Sequence, residues 1–200
     1  MFRVVTVCTG NVCRSPLAAA LIARWAAQAG MGDRVIVTSG GTRPAVGYPM
    51  HPEAAAVARA HGASPDHTAR ALSTAQVRSA DLILTAERAH RAVVAHLLPR
   101  AAPKVYTIRE FAALAQSVSM SPLPEGTARD GGGSGDSVDS ALAALDAISR
   151  RRGLGPRRTA KDDDIADPVL GNKAAFRVME LQLIDPLRQG FDALFGQDRS

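Results

Sequence analysis

Four short stretches of β-branched or aliphatic residues punctuate the chain, Phe2 to Val7, Val35 to Thr38, Leu82 to Thr85 and Lys104 to Thr107, and each predicts a strand. Between them, apolar residues recur at helical spacing over Pro16 to Ala29, Pro52 to His61 and Glu87 to Leu98. The first two of these segments stop at Gly30 and Gly62, the residue type that commonly ends a helix. Strands alternating with helices predict βαβ units with right-handed crossovers. The expected fold is therefore α/β, a three-layer α/β/α sandwich around a four-stranded parallel sheet.

After Leu114 the pattern changes. Ser117 to Asp136 is rich in Ser, Gly and Pro and reads as a flexible connection. Val138, Leu142, Leu145 and Ile148 then mark a short amphipathic helix, followed by a basic stretch from Arg150 to Arg158. Asp162-Asp163-Asp164 reads as a solvated acidic loop, since consecutive side chains diverge and no His or Cys accompanies them to hold a metal. A final helix is expected over about Ala174 to Leu194, with Phe176, Met179, Leu183, Leu187, Phe191 and Leu194 on one face and Asp185-Pro186 at a kink or boundary. The whole chain, 1–200, reads as a single domain with an insertion at about 117–160.

Composition narrows the function. With 200 residues, 46% of them hydrophobic, the chain can build one substantial core. No apolar run is long enough to cross a bilayer, and Met1 leads straight into a strand rather than a basic segment and a hydrophobic stretch, so no membrane and a cytoplasmic location are expected. The two cysteines, Cys8 and Cys13, lie five apart, which excludes a disulfide framework and points to chemistry. A net charge of +5 suits anionic substrates. Nucleic acid is disfavoured, because aromatic residues make up 4% of the chain and do not interleave with the basic ones.

The chemistry concentrates in Val7-Cys8-Thr9-Gly10-Asn11-Val12-Cys13-Arg14-Ser15-Pro16. A strand ends at Val7, a tight loop follows, and Pro16 opens a helix where a missing N–H does no harm. Successive N–H groups of such a loop converge beside the positive helix end and make a nest for a tetrahedral anion. The phosphate-binding residues are then Thr9, Gly10, Asn11, Val12, Cys13, Arg14 and Ser15. Cys8 at the bottom is expected to act as a thiolate nucleophile. Arg14, six residues on, brings a planar fork to two phosphate oxygens, which Lys could not match. Ser15 can donate to the thiolate, and Asn11 tolerates positive φ. Cys13 reads as a small structural hydrophobe placed to form a reversible disulfide with Cys8. His67 reads as structural, and His51, His61, His90 and His96 as surface or helix-face residues, none of them tied to Cys8.

This segment resembles the phosphate loop of low-molecular-weight protein-tyrosine phosphatases, which also follows the first strand. Ser39-Gly40-Gly41-Thr42, Asp66-His67-Thr68-Ala69-Arg70, Asp81-Leu82-Ile83-Leu84 and Asp167-Pro168 are similar to successive family segments, over residues 1–116 and 164–195. The resemblance implies that fold and a cysteine-dependent hydrolase, needing neither metal nor cofactor, that acts on a phosphorylated protein substrate, phosphotyrosine by family default. It also implies that Asp167, before Pro168 on a mobile loop, is the general acid and base that completes the catalytic set of Cys8, Arg14 and Asp167.

The departures bear on specificity. Val169 follows Pro168 where tyrosine-specific relatives carry an aromatic residue, and Arg43-Pro44-Ala45 replaces a second aromatic wall, with Tyr48 nearby. Each missing stacking surface is worth about 0.5–1.5 kcal/mol toward a phenyl ring. Protein-arginine phosphatases carry Thr where this loop has Val12, nearly its shape without the hydroxyl, which opens that alternative. Arsenate reductase is another, but with no cysteine beyond Cys13 it requires an external thiol. A non-catalytic phosphate-binding module is the third, opposed by the intact Cys8, Arg14 and Asp167.

Overall fold

In a computed structural model, which describes residues 1–119 and 137–196, strands β1 (Phe2–Cys8), β2 (Val35–Gly41), β3 (Leu82–Thr85) and β4 (Val105–Thr107) form one sheet. Their order is β2-β1-β3-β4 and every pairing is parallel. The predicted α/β sandwich is thus the observed fold. The β1–β2 ladder runs further than the apolar pattern does, through Thr6↔Ser39, Val7↔Gly40 and Cys8↔Gly41. Ser39, Gly40 and Gly41 carry no strand signal of their own, and pairing with β1 supplies it.

Side chains alternate across the sheet, so the strands bury both faces. Phe2, Val4, Leu82, Leu84 and Tyr106 face one core with helices α1 (Arg14–Gln28), α2 (Pro52–Ala60), α5 (Ile108–Ser119), α6 (Ser137–Ser149) and α8 (Lys173–Phe195). Val5, Val7, Ile83 and Val105 face a smaller one with Val77 of α3 (Thr74–Ser79) and Val94 of α4 (Arg88–Leu97). A short helix α7 (Ala160–Asp163) precedes α8. Aromatic residues are few and gathered where α8 meets the sheet: the Phe2 and Phe195 rings meet edge-on at 5.3 Å, and Phe191 lies 5.7 Å from Trp25.

Several elements differ from expectation. Helix α5, over a stretch where no helix is expected, buries Phe111, Ala112 and Ala115 and runs to Ser119, into the start of the expected connection. The rest of the expected connection, 120–136, lies outside the described residues. Pro186 sits within α8 without ending it. The expected solvated loop at 162–164 is not solvated at Asp163, which is buried and bonded to Arg158 Nε at 2.6 Å. The basic stretch is structural in part: Arg152 reaches Glu110 at 3.3 Å and the Val105 carbonyl, with its guanidinium 3.8 Å above the Tyr106 ring. Among the described residues, no helix is long and apolar enough to cross a membrane.

In an open sheet with this strand order, ligands bind at the carboxyl ends of the strands, where the order reverses. Cys8 ends β1 at that point, and Gly41 ends the neighbouring strand. A Cβ on Gly41 would lie 2.7 Å from the Thr9 carbonyl oxygen and 2.9 Å from Pro44 Cβ. Gly41→Ala is therefore expected to lower the unfolding free energy by about 1–3 kcal/mol, read as a drop in the urea midpoint. Gly155→Ala, whose Cβ would meet nothing within 4 Å, is the control and should leave the midpoint where it is.

Candidate active site

The loop between β1 and α1 is shaped by what its carbonyls do. The Cys8 carbonyl accepts from the Thr42 N–H at 2.9 Å, Thr9 from Arg43 at 3.0 Å, Gly10 from Ala45 at 3.0 Å and Val12 from His51 at 2.8 Å. The Asn11 carbonyl accepts from His67 Nε2 at 2.7 Å, and that of Cys13 takes the first helical bond from Leu17 at 3.2 Å. In a trans peptide the N–H points opposite to the carbonyl before it. With six successive carbonyls tied outward, the N–H groups of residues 9–14 turn toward the centre of the loop, where Cys8 ends the strand.

Asn11 braces the turn. It is the only non-glycine residue with positive φ among the described residues, at 56°, and it is fully buried. Its amide nitrogen donates to Ser15 Oγ and Ser39 Oγ, each at 2.9 Å, while its oxygen accepts from the Arg70 N–H at 2.9 Å. Ser15 Oγ, accepting from Asn11, lies 2.9 Å from the sulfur of Cys8, within reach to donate its proton to a thiolate there.

Arg14 opens α1 and is 1% exposed. One terminal nitrogen donates to Glu87 and, at 2.9 Å, to the Ile165 carbonyl; the other donates to Asp167 at 2.7 Å. Its Nε is buried without a partner. Asp167 reaches the site because Ile165 N–H is anchored on the Ala86 carbonyl at 2.9 Å and Asp164 accepts from the Arg88 N–H at 2.7 Å. The structure thus brings Cys8, Arg14, Ser15 and Asp167 to one place, with Thr9, Gly10, Asn11, Val12 and Cys13 forming the loop between them.

Two residues join the site that the sequence did not point to. Glu87 holds Arg14, and nothing in its apolar helix pattern marks it. His90, expected on a surface, is buried with Nε2 2.9 Å from Thr9 Oγ1. The signal for both was spacing: His90 is one turn after Glu87 at the start of a helix that follows β3, so it meets the same strand ends. Burial pushes the His90 pKa down, opposed by Glu87, and burial likewise lowers His67, opposed by its bond to Asn11. Both thiols are free, and burial, with Cys8 and Asp167 nearby, pushes Cys13 up to about 12. No group of three or more His, Cys, Asp or Glu side chains suited to a metal ion occurs among the described residues.

A family model described as low molecular weight phosphotyrosine protein phosphatase matches residues 3–122. The chain is 41% identical over 110 residues to low molecular weight protein-tyrosine phosphatase A of Mycobacterium tuberculosis, covering 54% of this chain and 66% of that one, just under two thirds. It is 32% identical over 108 residues to the protein-arginine-phosphatase of Bacillus subtilis, covering 54% and 71%. In fold it is similar to the tyrosine phosphatase amsI of Erwinia amylovora (TM-score 0.63, 23% identity, 96% of this chain and 92% of that one). It is also similar to the YwlE arginine phosphatase of Geobacillus stearothermophilus (TM-score 0.65, 23% identity, 97% and 93%).

The lowered histidines have a measurable consequence. Each binds its proton in the unfolded chain before it does in the native one, so acidification favours unfolding. Stability is expected to hold above about pH 6.5 and to fall as the pH drops below it. In His90→Gln that fall should be smaller, as read from urea midpoints across the range.

Proposed function

Since the chain belongs to the low-molecular-weight phosphotyrosine protein phosphatase family, we propose that it hydrolyses phosphate esters on proteins through a cysteinyl-phosphate intermediate. The single observation that carries this reading is the outward pairing of the Cys8 to Cys13 carbonyls, which leaves an inward ring of N–H donors around the Cys8 sulfur. The unpartnered Nε of Arg14 adds to it, because a buried donor without an acceptor costs about 1–3 kcal/mol and a phosphate oxygen removes that cost.

In the proposed sequence the phosphate enters the ring, and Arg14 turns Nε and one terminal nitrogen to two of its oxygens, releasing Asp167, which takes up a proton from solvent as its ion pair is lost. The Cys8 sulfur attacks phosphorus in line as the bond to the leaving oxygen breaks, and Asp167 gives that oxygen its proton. A water molecule then attacks the cysteinyl-phosphate and passes its proton to Asp167. The S–P bond breaks with the Ser15 hydroxyl supporting the departing thiolate. The substrate is a phosphorylated protein, and the two free thiols fit a cytoplasmic setting.

Which phosphorylated residue is favoured turns on the mouth. Val169 is 42% exposed and Leu170 99% exposed beside Asp167, so the wall there is aliphatic. With Val12 in the loop, this supports protein-arginine phosphatase as the second reading. Arsenate reduction remains the reading that needs an external thiol, since Cys8 and Cys13 are the chain's two cysteines and no third is present to relay a disulfide.

Hydrolysis of an aryl phosphate by the wild type, with vanadate as competitor, is the direct test. Cys8→Ser should abolish turnover, and Asp167→Asn should reduce kcat by about 10²–10⁴-fold. An inactive wild type, or activity surviving Cys8→Ser, overturns the mechanism. Rates on matched phosphotyrosine and phosphoarginine peptides decide between the two specificities.

A further inference from the structure

A cavity of about 640 Å³ lies between α4, α5 and the stretch 151–158, and none of its lining residues belongs to the phosphate loop. Its volume falls in the range of small-molecule sites, about 300–1,000 Å³. Six arginines line it, Arg88, Arg91, Arg151, Arg152, Arg157 and Arg158, against two carboxylates, Glu110 and Asp163, which leaves an excess of four positive charges.

The carboxylates organise this excess without cancelling it. Glu110, 8% exposed, receives Arg91 at 2.8 Å on one oxygen and Arg152 at 3.3 Å on the other. Asp163, 3% exposed, receives Arg158 at 2.6 Å and stands 3.9 Å from Arg88. Arg91, Arg152 and Arg158 are thereby held in position, with Arg88 close by; Arg152 spends most of its five donors on Glu110 and on the Ala102, Pro103 and Val105 carbonyls, whereas Arg91 and Arg158 keep donors to spare. Among the described residues, no protein partner holds the side chains of Arg151 and Arg157. Leu114, Leu154 and Pro156 add an apolar wall. Guanidinium groups fixed by buried carboxylates lose little freedom when an anion arrives, and their planar forks match phosphate oxygens.

We propose that this cavity is a second anion site, distinct from the catalytic loop, that binds a small molecule carrying a chain of two or more phosphate groups. Orthophosphate suits it poorly, because one tetrahedral ion cannot span six guanidinium groups spread around the cavity. A polyphosphate chain can engage the held and the free arginines together.

The test is calorimetric titration of the full chain with inorganic tripolyphosphate. Saturable binding that weakens as salt rises from about 0.05 to 0.5 M is expected, as the screening length shrinks. Arg151→Ala/Arg157→Ala should weaken it at least tenfold, about 1.4 kcal/mol, while melting like the wild type, because neither side chain has a partner to lose. Arg157→Glu, at an exposed position, should weaken it further than Arg157→Ala. Adenosine triphosphate binding more tightly than tripolyphosphate would assign the apolar wall to a nucleoside, and equal binding would assign the site to the phosphate chain alone; either agrees with the proposal. Absence of binding, undiminished binding in the double variant, or displacement of tripolyphosphate by orthophosphate at the catalytic loop overturns it. So does tighter binding of an acidic phosphopeptide that displaces tripolyphosphate, which would make the cavity a protein-docking groove.

Discussion

The candidate active site depends on a constraint borne by backbone carbonyls. Turning a run of N–H groups toward one point requires that the carbonyls on the far side of the same peptides be accepted elsewhere, because an unpaired buried carbonyl is costly. Here the acceptors are served by the 42–51 segment, by His67 and by the first turn of α1. Gly41 admits the neighbouring chain closely enough for those bonds to form. The sheet, the second strand's extension to Gly41 and the loop beyond it are in this sense parts of one device, and the conformation of Asn11 is held by three hydrogen bonds that converge from separate segments.

How far this was legible in the sequence follows from which interactions are local. The strands and the long helices announce themselves through apolar periodicity, and Cys8, Arg14 and Ser15 through a strand-loop-helix segment whose parts lie within a few residues of one another. Asp167 was legible only through a family resemblance, since it comes from a segment 153 residues after Arg14 and arrives by way of Ile165 and Asp164. Glu87 and His90 went unread because their partners, Arg14 and Thr9, lie far away in sequence, although His90 shares the buried face of α4 with Val94. Asp163 misled for a different reason: three consecutive aspartates look solvated, but the local turn into α7 brings Arg158, five residues earlier, onto one of them.

The segment 150–165 is held by a different chemistry from the sheet. β1 and β3 are joined by ladders and apolar packing, whereas residues 150–165 are fastened by arginines that reach backbone carbonyls and buried carboxylates. Arg109 donates to the Lys161 and Asp164 carbonyls, Arg152 to those of Ala102 and Pro103. Such bonds are directional and charge-assisted, which suits a segment that must deliver Asp167 to a fixed place while offering little apolar surface of its own.

The ion pairs of Arg14 have one more implication. In this conformation its guanidinium is already ligated by Glu87 and Asp167, planar anions attached to the same chain. They act as internal competitors whose effective concentration is set by the fold that holds them against Arg14, on the order of millimolar or higher. An incoming ligand must therefore outbid two resident carboxylates, which a dianionic tetrahedral group with several oxygens for the N–H ring can do and a simple carboxylate or chloride cannot. On the proposed function, the resting arrangement of the site therefore sorts anions before any substrate side chain is read.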